Sequence, residues 1–128
     1  MNKRELLGAV LGSSAVLAGC ATAISAPQAP SLVGQTVVLV HGAWHGGWCW
    51  RDVAQLLRGE GALVFTPTLT GLGERAHLRT PTPTLSTHVD DVCAVMEAEE
   101  LTDVILCGHS YGGMVVTGVA DRLKERLK

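Results

Sequence analysis

Between Thr36 and Leu127 the chain alternates short, continuous apolar runs with stretches in which apolar residues recur every three or four positions. Thr36–Val40 (TVVLV) is unbroken and β-branched, the pattern of a parallel strand buried on both faces. After a glycine-rich loop, Trp50, Val53, Leu56 and Leu57 fall at helical spacing, and Gly59 and Gly61 close that helix. Ala62–Thr66 (ALVFT) predicts a second strand, followed by a loop rich in Thr, Pro and Gly from Pro67 to Thr84. Leu85, Val89, Val92 and Met96 mark one face of a second helix, with Thr87 and Asp90 as its capping box. Asp103–Cys107 (DVILC) predicts the third strand, and Met114, Val115, Val119, Leu123 and Leu127 a final helix. Strand and helix alternate three times, with no internal repeat. That order predicts an α/β fold: a parallel sheet of about three strands with flanking helices and right-handed crossovers.

The pattern is different upstream. Lys3 and Arg4 precede an apolar stretch from Leu6 to Ala18. A bilayer-spanning helix needs about 20 apolar residues, so this stretch reads as the core of a signal peptide. It runs into Leu17-Ala18-Gly19-Cys20, which resembles the lipobox of bacterial lipoproteins, where the cysteine thiol is acylated. Cleavage without lipid near Ala21-Thr22-Ala23 or Ser25-Ala26 is the alternative, and Lys3-Arg4-Glu5-Leu6-Leu7 resembles a weakened twin-arginine signal. The expected organisation is a lipoprotein-type signal peptide over 1–20, an Ala/Pro/Ser-rich linker over 21–34 and a domain over 35–128. An exported bacterial protein follows, either lipid-anchored in the cell envelope through Cys20 or free in the periplasm or medium.

Composition narrows the choice only slightly. The 128 residues are 47% hydrophobic and 17% charged, with a formal net charge of −2, which excludes a disordered or strongly basic chain and gives no reason to expect nucleic acid as a partner. Arg122, Lys124, Arg126 and Lys128 are interleaved with Leu123, Glu125 and Leu127, the solvated end of a helix whose negative terminus welcomes cations. With Cys20 set aside, Cys49, Cys93 and Cys107 are an odd number without metal-like spacing. Cys93 and Cys107 read as small buried hydrophobes, and no metal site is expected.

Two segments carry chemistry. Gly108-His109-Ser110-Tyr111-Gly112-Gly113 (GHSYGG) lies between the third strand and the final helix. A serine on a tight strand-to-helix turn is forced outward, and Gly108 and Gly112 keep side chains clear of the neighbouring backbone. The helix that follows aims its N-terminal N–H groups at developing negative charge. His41-Gly42-Ala43-Trp44-His45-Gly46-Gly47-Trp48 (HGAWHGGW) directly follows the first strand, where a glycine-rich loop lets backbone N–H groups face a carbonyl oxygen. Losing one such donor typically costs about 3–4 kcal/mol of transition-state stabilisation. His45, Trp44 and Trp48 are candidates for an acyl pocket or for loop packing, and His41 for ordering the loop. Gly71-Leu72-Gly73-Glu74-Arg75-Ala76 mimics a dinucleotide fingerprint, with Asp91 about 20 residues on, but Pro81 and Pro83 follow it where a helix should. No cofactor is expected.

These two motifs, with Thr66–Leu78 (TPTLTGLGERAHL), resemble the α/β-hydrolase superfamily, in particular the branch of plant methyl esterases, hydroxynitrile lyases and related bacterial esterases. The resemblance spans about Val37 to Leu127 and implies the N-terminal part of that fold. It makes Ser110 the nucleophile, Ala43 and Tyr111 the oxyanion donors, and a small-molecule ester the substrate. Hydroxynitrile lyases of the branch carry threonine where this sequence has Gly42, so the resemblance favours ester hydrolysis over cyanohydrin cleavage. Dehalogenases of the same fold use an aspartate nucleophile, which Ser110 excludes.

In that superfamily the triad runs Ser, then Asp or Glu, then His. After Ser110 this sequence has Asp121 and Glu125 but no histidine, and Asp121 falls on the final helix, three turns from the serine. His77 and His88 precede Ser110; His77, in the long loop, is the one candidate for a substitute base. The expectation is a carboxylic-ester hydrolase whose remaining triad members lie beyond Lys128, inactive or weakly active as it stands, with an exposed third strand and marginal stability. A non-catalytic exported lipoprotein fragment and a hydroxynitrile-lyase-like relative are the alternatives.

Overall fold

The structure, a computed structural model, describes residues 31–128. The predicted leader over 1–20, the acylation candidate Cys20 and most of the 21–34 linker lie outside the described residues.

The chain forms β1 (Thr36–Val40), a 3-10 turn (Gly47–Trp50), α1 (Arg51–Gly59), β2 (Leu63–Phe65), a 3-10 segment (Gly73–Leu78), α2 (Leu85–Ala98), β3 (Val104–Gly108), α3 (Tyr111–Leu123) and a last 3-10 turn (Lys124–Arg126). The three strands are parallel in the order β2-β1-β3, with Val37 level with Val64 and Ile105, and Leu39 level with Cys107. β1 is therefore central, and successive side chains along it enter opposite cores. Val38 and Val40 pack with Val89, Val92, Met96, Val115 and Val119 of α2 and α3. Val37 and Leu39 pack with Ala54 of α1 and with Ala62 and Val64. Helices on both sides of β1 are the reason its sequence is apolar without alternation. Fully burying each of the Val, Leu and Met side chains among them is worth about 1.5–3 kcal/mol.

The structure corrects several details of the sequence reading. α1 buries Ala54 and half-buries Leu57, with Trp50 half-buried just before it, while Val53 and Leu56 stay exposed, so its inner stripe is narrower than the periodicity implies. The capping box of α2 is one turn earlier: the Thr84 hydroxyl accepts from Thr87 N–H and the Thr87 hydroxyl from Thr84 N–H, leaving Asp90 free to pair with Arg122. α3 buries Val115 and Val119 but exposes Met114, and Leu127 lies past the helix in a parallel bridge with Val104. Cys107 is exposed, whereas Cys93 is buried as expected. α1 packs on β2 and covers Val37 and Leu39 of β1, while Ile105 and Cys107, level with them on β3, are exposed.

Candidate active site

β3 ends at Gly108 and α3 starts at Tyr111, so the chain reverses within two residues. Ser110 takes up that reversal at φ 53°, ψ −120°, a conformation that a residue with a side chain rarely adopts, and its side chain is exposed. Glycine is obligatory on either side. A β-carbon on Gly108 would lie 2.4 Å from Gly112 O, and one on Gly112 would lie 2.6 Å from Val40 O and 2.8 Å from His41 O. The turn is closed by Gly112 N–H donating to His109 O and Gly113 N–H to Ser110 O, both at 2.8 Å, and is tied to β1 by His109 N–H on Val40 O.

The loop after β1 meets this turn at Gly42, where a β-carbon would lie 3.0 Å from His109 Nδ1 and 3.3 Å from Ser110 Cβ. His41 is fully buried behind it. Its Nε2 accepts from Leu69 N–H at 3.0 Å, which places the ring proton on Nδ1, and that N–H donates to Gly42 O at 2.7 Å. Both contacts need the neutral imidazole, and burial holds its pKa below the ordinary value. His41 therefore orders the loop and has no free nitrogen for proton transfer. Among the described residues neither Ala43 N–H nor Tyr111 N–H donates a hydrogen bond. The Ala43 carbonyl accepts from His45 Nδ1 at 2.9 Å, and Trp44, 91% exposed, lies between them at φ 69°.

Trp44 also forms one wall of an open groove of about 510 Å³, shared with Gly73 and Ala76 of the 3-10 segment and with Leu72 and Arg79 that flank it. Ser110 does not line it. The His45 ring lies 5.8 Å from Trp48 and 6.3 Å from His109, and His109 meets Trp50 edge-on at 6.4 Å. These four rings form one cluster beside the elbow. His77 sits exposed on the 3-10 segment and makes no hydrogen bond to Ser110 among the described residues.

A chain of polar contacts, which the sequence reading did not foresee, holds the long loop against the site. Gly47 N–H donates to Thr68 Oγ1, which donates to Glu74 Oε1 at 2.6 Å; that hydroxyl is the main reason the Glu74 carboxyl titrates below its usual range. Thr70 donates through N–H and Oγ1 to the two oxygens of Asp91, at 2.6 and 2.7 Å, and Arg75 bridges Asp91 and Thr68 O. The acidic residue that imitates a ribose-binding partner in the sequence thus clasps its own loop. His88, 6% exposed on the first turn of α2, reaches Thr70 O with Nε2 at 2.8 Å and the Tyr111 hydroxyl with Nδ1 at 2.7 Å. No sequence signal joins residues 70, 88, 91 and 111, because the contacts depend on how the loop folds back.

Among the described residues no cluster of three or more His, Cys, Asp or Glu could hold a metal ion, and no helix is long and apolar enough to cross a membrane.

A strand–serine–helix reversal facing a glycine-rich loop on the adjacent strand places the molecule in a known class. Residues 37–127 match the model of the alpha/beta hydrolase family, and the chain belongs to that family. It is 64% identical over 91 residues to a carbendazim hydrolyzing esterase of Nocardioides sp. (strain SG-4G), covering 71% of this chain and 38% of that protein. Methylesterase 10 of Arabidopsis thaliana is 32% identical over 91 residues, 70% of this chain and 33% of the relative. Among solved structures, an extracellular alpha/beta-hydrolase from a Paenibacillus species, described as sharing structural and functional homology with tobacco salicylic acid binding protein 2, superposes with a TM-score of 0.68 at 33% identity. That match covers 73% of this chain and 38% of the other. Polyneuridine aldehyde esterase superposes with a TM-score of 0.66 at 27% identity, over 73% of this chain and 37% of the other. The chain thus spans little more than a third of the length of these relatives.

Proposed function

We propose that the chain carries the nucleophile and oxyanion hole of a serine esterase acting on small-molecule carboxylic esters. Ser110 Oγ attacks the ester carbonyl, the N–H groups of Ala43 and Tyr111 receive the developing oxyanion, and collapse expels the alcohol to leave an acyl-enzyme that water hydrolyses. One observation carries this reading: Ser110 is held at φ 53°, ψ −120° on the turn into α3, beside two backbone donors that are unspent among the described residues. Such strain persists only where the surrounding structure enforces it.

Among the described residues no histidine hydrogen-bonds to Ser110. His41 and His88 have both ring nitrogens engaged, and the sequence has no histidine after Ser110. The substrate class is taken from the esterase relatives, and carbendazim is the first compound to offer, because the relative at 64% identity is named for hydrolysing it. The leader is read as an export signal with acylation at Cys20, which would place the domain at the cell envelope. Incorporation of labelled palmitate, abolished by Cys20→Ala, checks that step.

The deciding experiment is reaction of the purified chain with a fluorophosphonate probe, with Ser110→Ala as control. Labelling lost in the control supports Ser110 as an activated nucleophile. Its absence from folded protein leaves the chain without esterase chemistry of its own.

A further inference from the structure

His88 has no place in the chemistry above, yet it is one of three buried polar or charged side chains in the described structure. Its hydrogen bonds fix its role. Thr70 O can only accept, so the ring proton sits on Nε2 and donates to that carbonyl. In the neutral ring Nδ1 is then an acceptor, and the Tyr111 hydroxyl donates to it. The two rings meet edge-to-face at 85°, with centroids 5.6 Å apart, so packing and hydrogen bond select the same geometry. Thr70, in turn, is fixed by Asp91 through two hydrogen bonds, and Asp91 is on α2 one turn beyond His88. The side chain of the first residue of α3 is therefore anchored, through His88, to a closed set of contacts between α2 and the long loop.

Tyr111 is also the residue after Ser110. Resting on the reading of its N–H as an oxyanion donor, we infer that His88 is a positioning residue for the oxyanion hole. By holding the Tyr111 hydroxyl it sets the orientation of the first turn of α3, and with it the direction of the Tyr111 N–H. The carbonyl of that same peptide, Ser110 O, is held by Gly113 N–H at 2.8 Å, and the Tyr111 hydroxyl adds a second tie from the side chain of the residue that carries the N–H, which as a first-turn donor has no intrahelical acceptor. The arrangement asks for a hydroxylated aromatic after the nucleophile, at the correct distance from a histidine on the neighbouring helix.

The test compares the 128-residue chain with Tyr111→Phe, which deletes one hydroxyl, with His88→Phe, which keeps the ring but removes both polar contacts, and with His88→Asn, which keeps an acceptor near Nδ1. Two readouts are followed: the rate of fluorophosphonate labelling at Ser110, and amide hydrogen exchange at Gly112 and Gly113, whose N–H groups close the elbow. The expected result is labelling slowed about tenfold in Tyr111→Phe and His88→Phe, less than the ~10²–10³-fold typical of losing a donor outright. Exchange at both glycines accelerates in these two variants, and His88→Asn recovers most of both signals. Wild-type labelling and exchange in a folded Tyr111→Phe chain overturn the inference. If no variant labels, wild type included, the nucleophile reading has failed in this chain and exchange alone decides: acceleration in Tyr111→Phe and His88→Phe upholds the anchoring, and unchanged exchange refutes it.

Discussion

Two residues of the loop after β1 do opposite jobs at atomic range. Gly42 is small because the elbow is already against it, with His109 and Ser110 at 3.0–3.3 Å from where a β-carbon would be. Gly42→Thr should push the serine and the Ala43 N–H apart, and a displacement of about 1 Å can cost ~10²-fold in rate. Fluorophosphonate labelling of that variant, at unchanged far-ultraviolet dichroism, is the check. His41 is large, buried and neutral. Its pKa in the folded chain is below the ordinary imidazole value of 6.5, so below that pH the unfolded chain takes up a proton that the folded one refuses. His41 should therefore leave stability flat above about pH 6.5 and lower it progressively as pH falls toward the depressed folded value. Urea midpoints measured from about pH 8 to about pH 5 read this limb, and His41→Gln should shrink it.

At the level of elements, α2 acts as a bracket. Its first turn carries Thr84 and Thr87 in a reciprocal cap, and its inner face carries His88 and Asp91 to the loop. Thr84→Ala should lower stability by about 1 kcal/mol, read from the denaturant midpoint. Asp91→Ala removes the acceptor of both Thr70 bonds and the partner of Arg75. It should raise proteolytic nicking between residues 70 and 84 more than it lowers the global midpoint, since the loop rather than either core loses its ties. Most elements were legible in the sequence, because a β-branched run such as TVVLV and apolar spacing such as that of Leu85, Val89, Val92 and Met96 are set by burial itself. The α2 cap was misplaced by a turn because Thr84 and Thr87 offer the same chemistry as Thr87 and Asp90, and periodicity cannot choose between registers. Val53, Leu56 and Cys107 are exposed for a different reason: periodicity marks apolar positions, but whether anything packs over them depends on the tertiary arrangement, which no local pattern encodes. The geometry at Ser110 matches the motif that announced it, while the His88–Tyr111 contact was invisible, resting on a loop with no periodicity to read.

For the molecule as a whole, the sheet is the main liability. Ile105 is 40% exposed and Leu63 55%, and β3 pairs on its outer side only through Val104 with Leu127 among the described residues. An unpaired apolar strand edge is a template for another chain. Sedimentation velocity should therefore show concentration-dependent association of the purified chain, and Ile105→Lys should suppress it without slowing fluorophosphonate labelling. Persistent association in that variant would move the contact elsewhere.

The strand order also sets a schedule for synthesis. β1 is made early but is completed by β3, with Thr36 pairing to Val104 and Val40 to Gly108. Chains dominated by such distant pairings fold slowly, because loop closure comes before any reward. At the pace of a ribosome, an apolar strand near the start of the domain waits several seconds before its second neighbour exists. The serine turn comes into being at the moment that wait ends, so whatever shields the nascent strand in the cell also governs how much working elbow is produced.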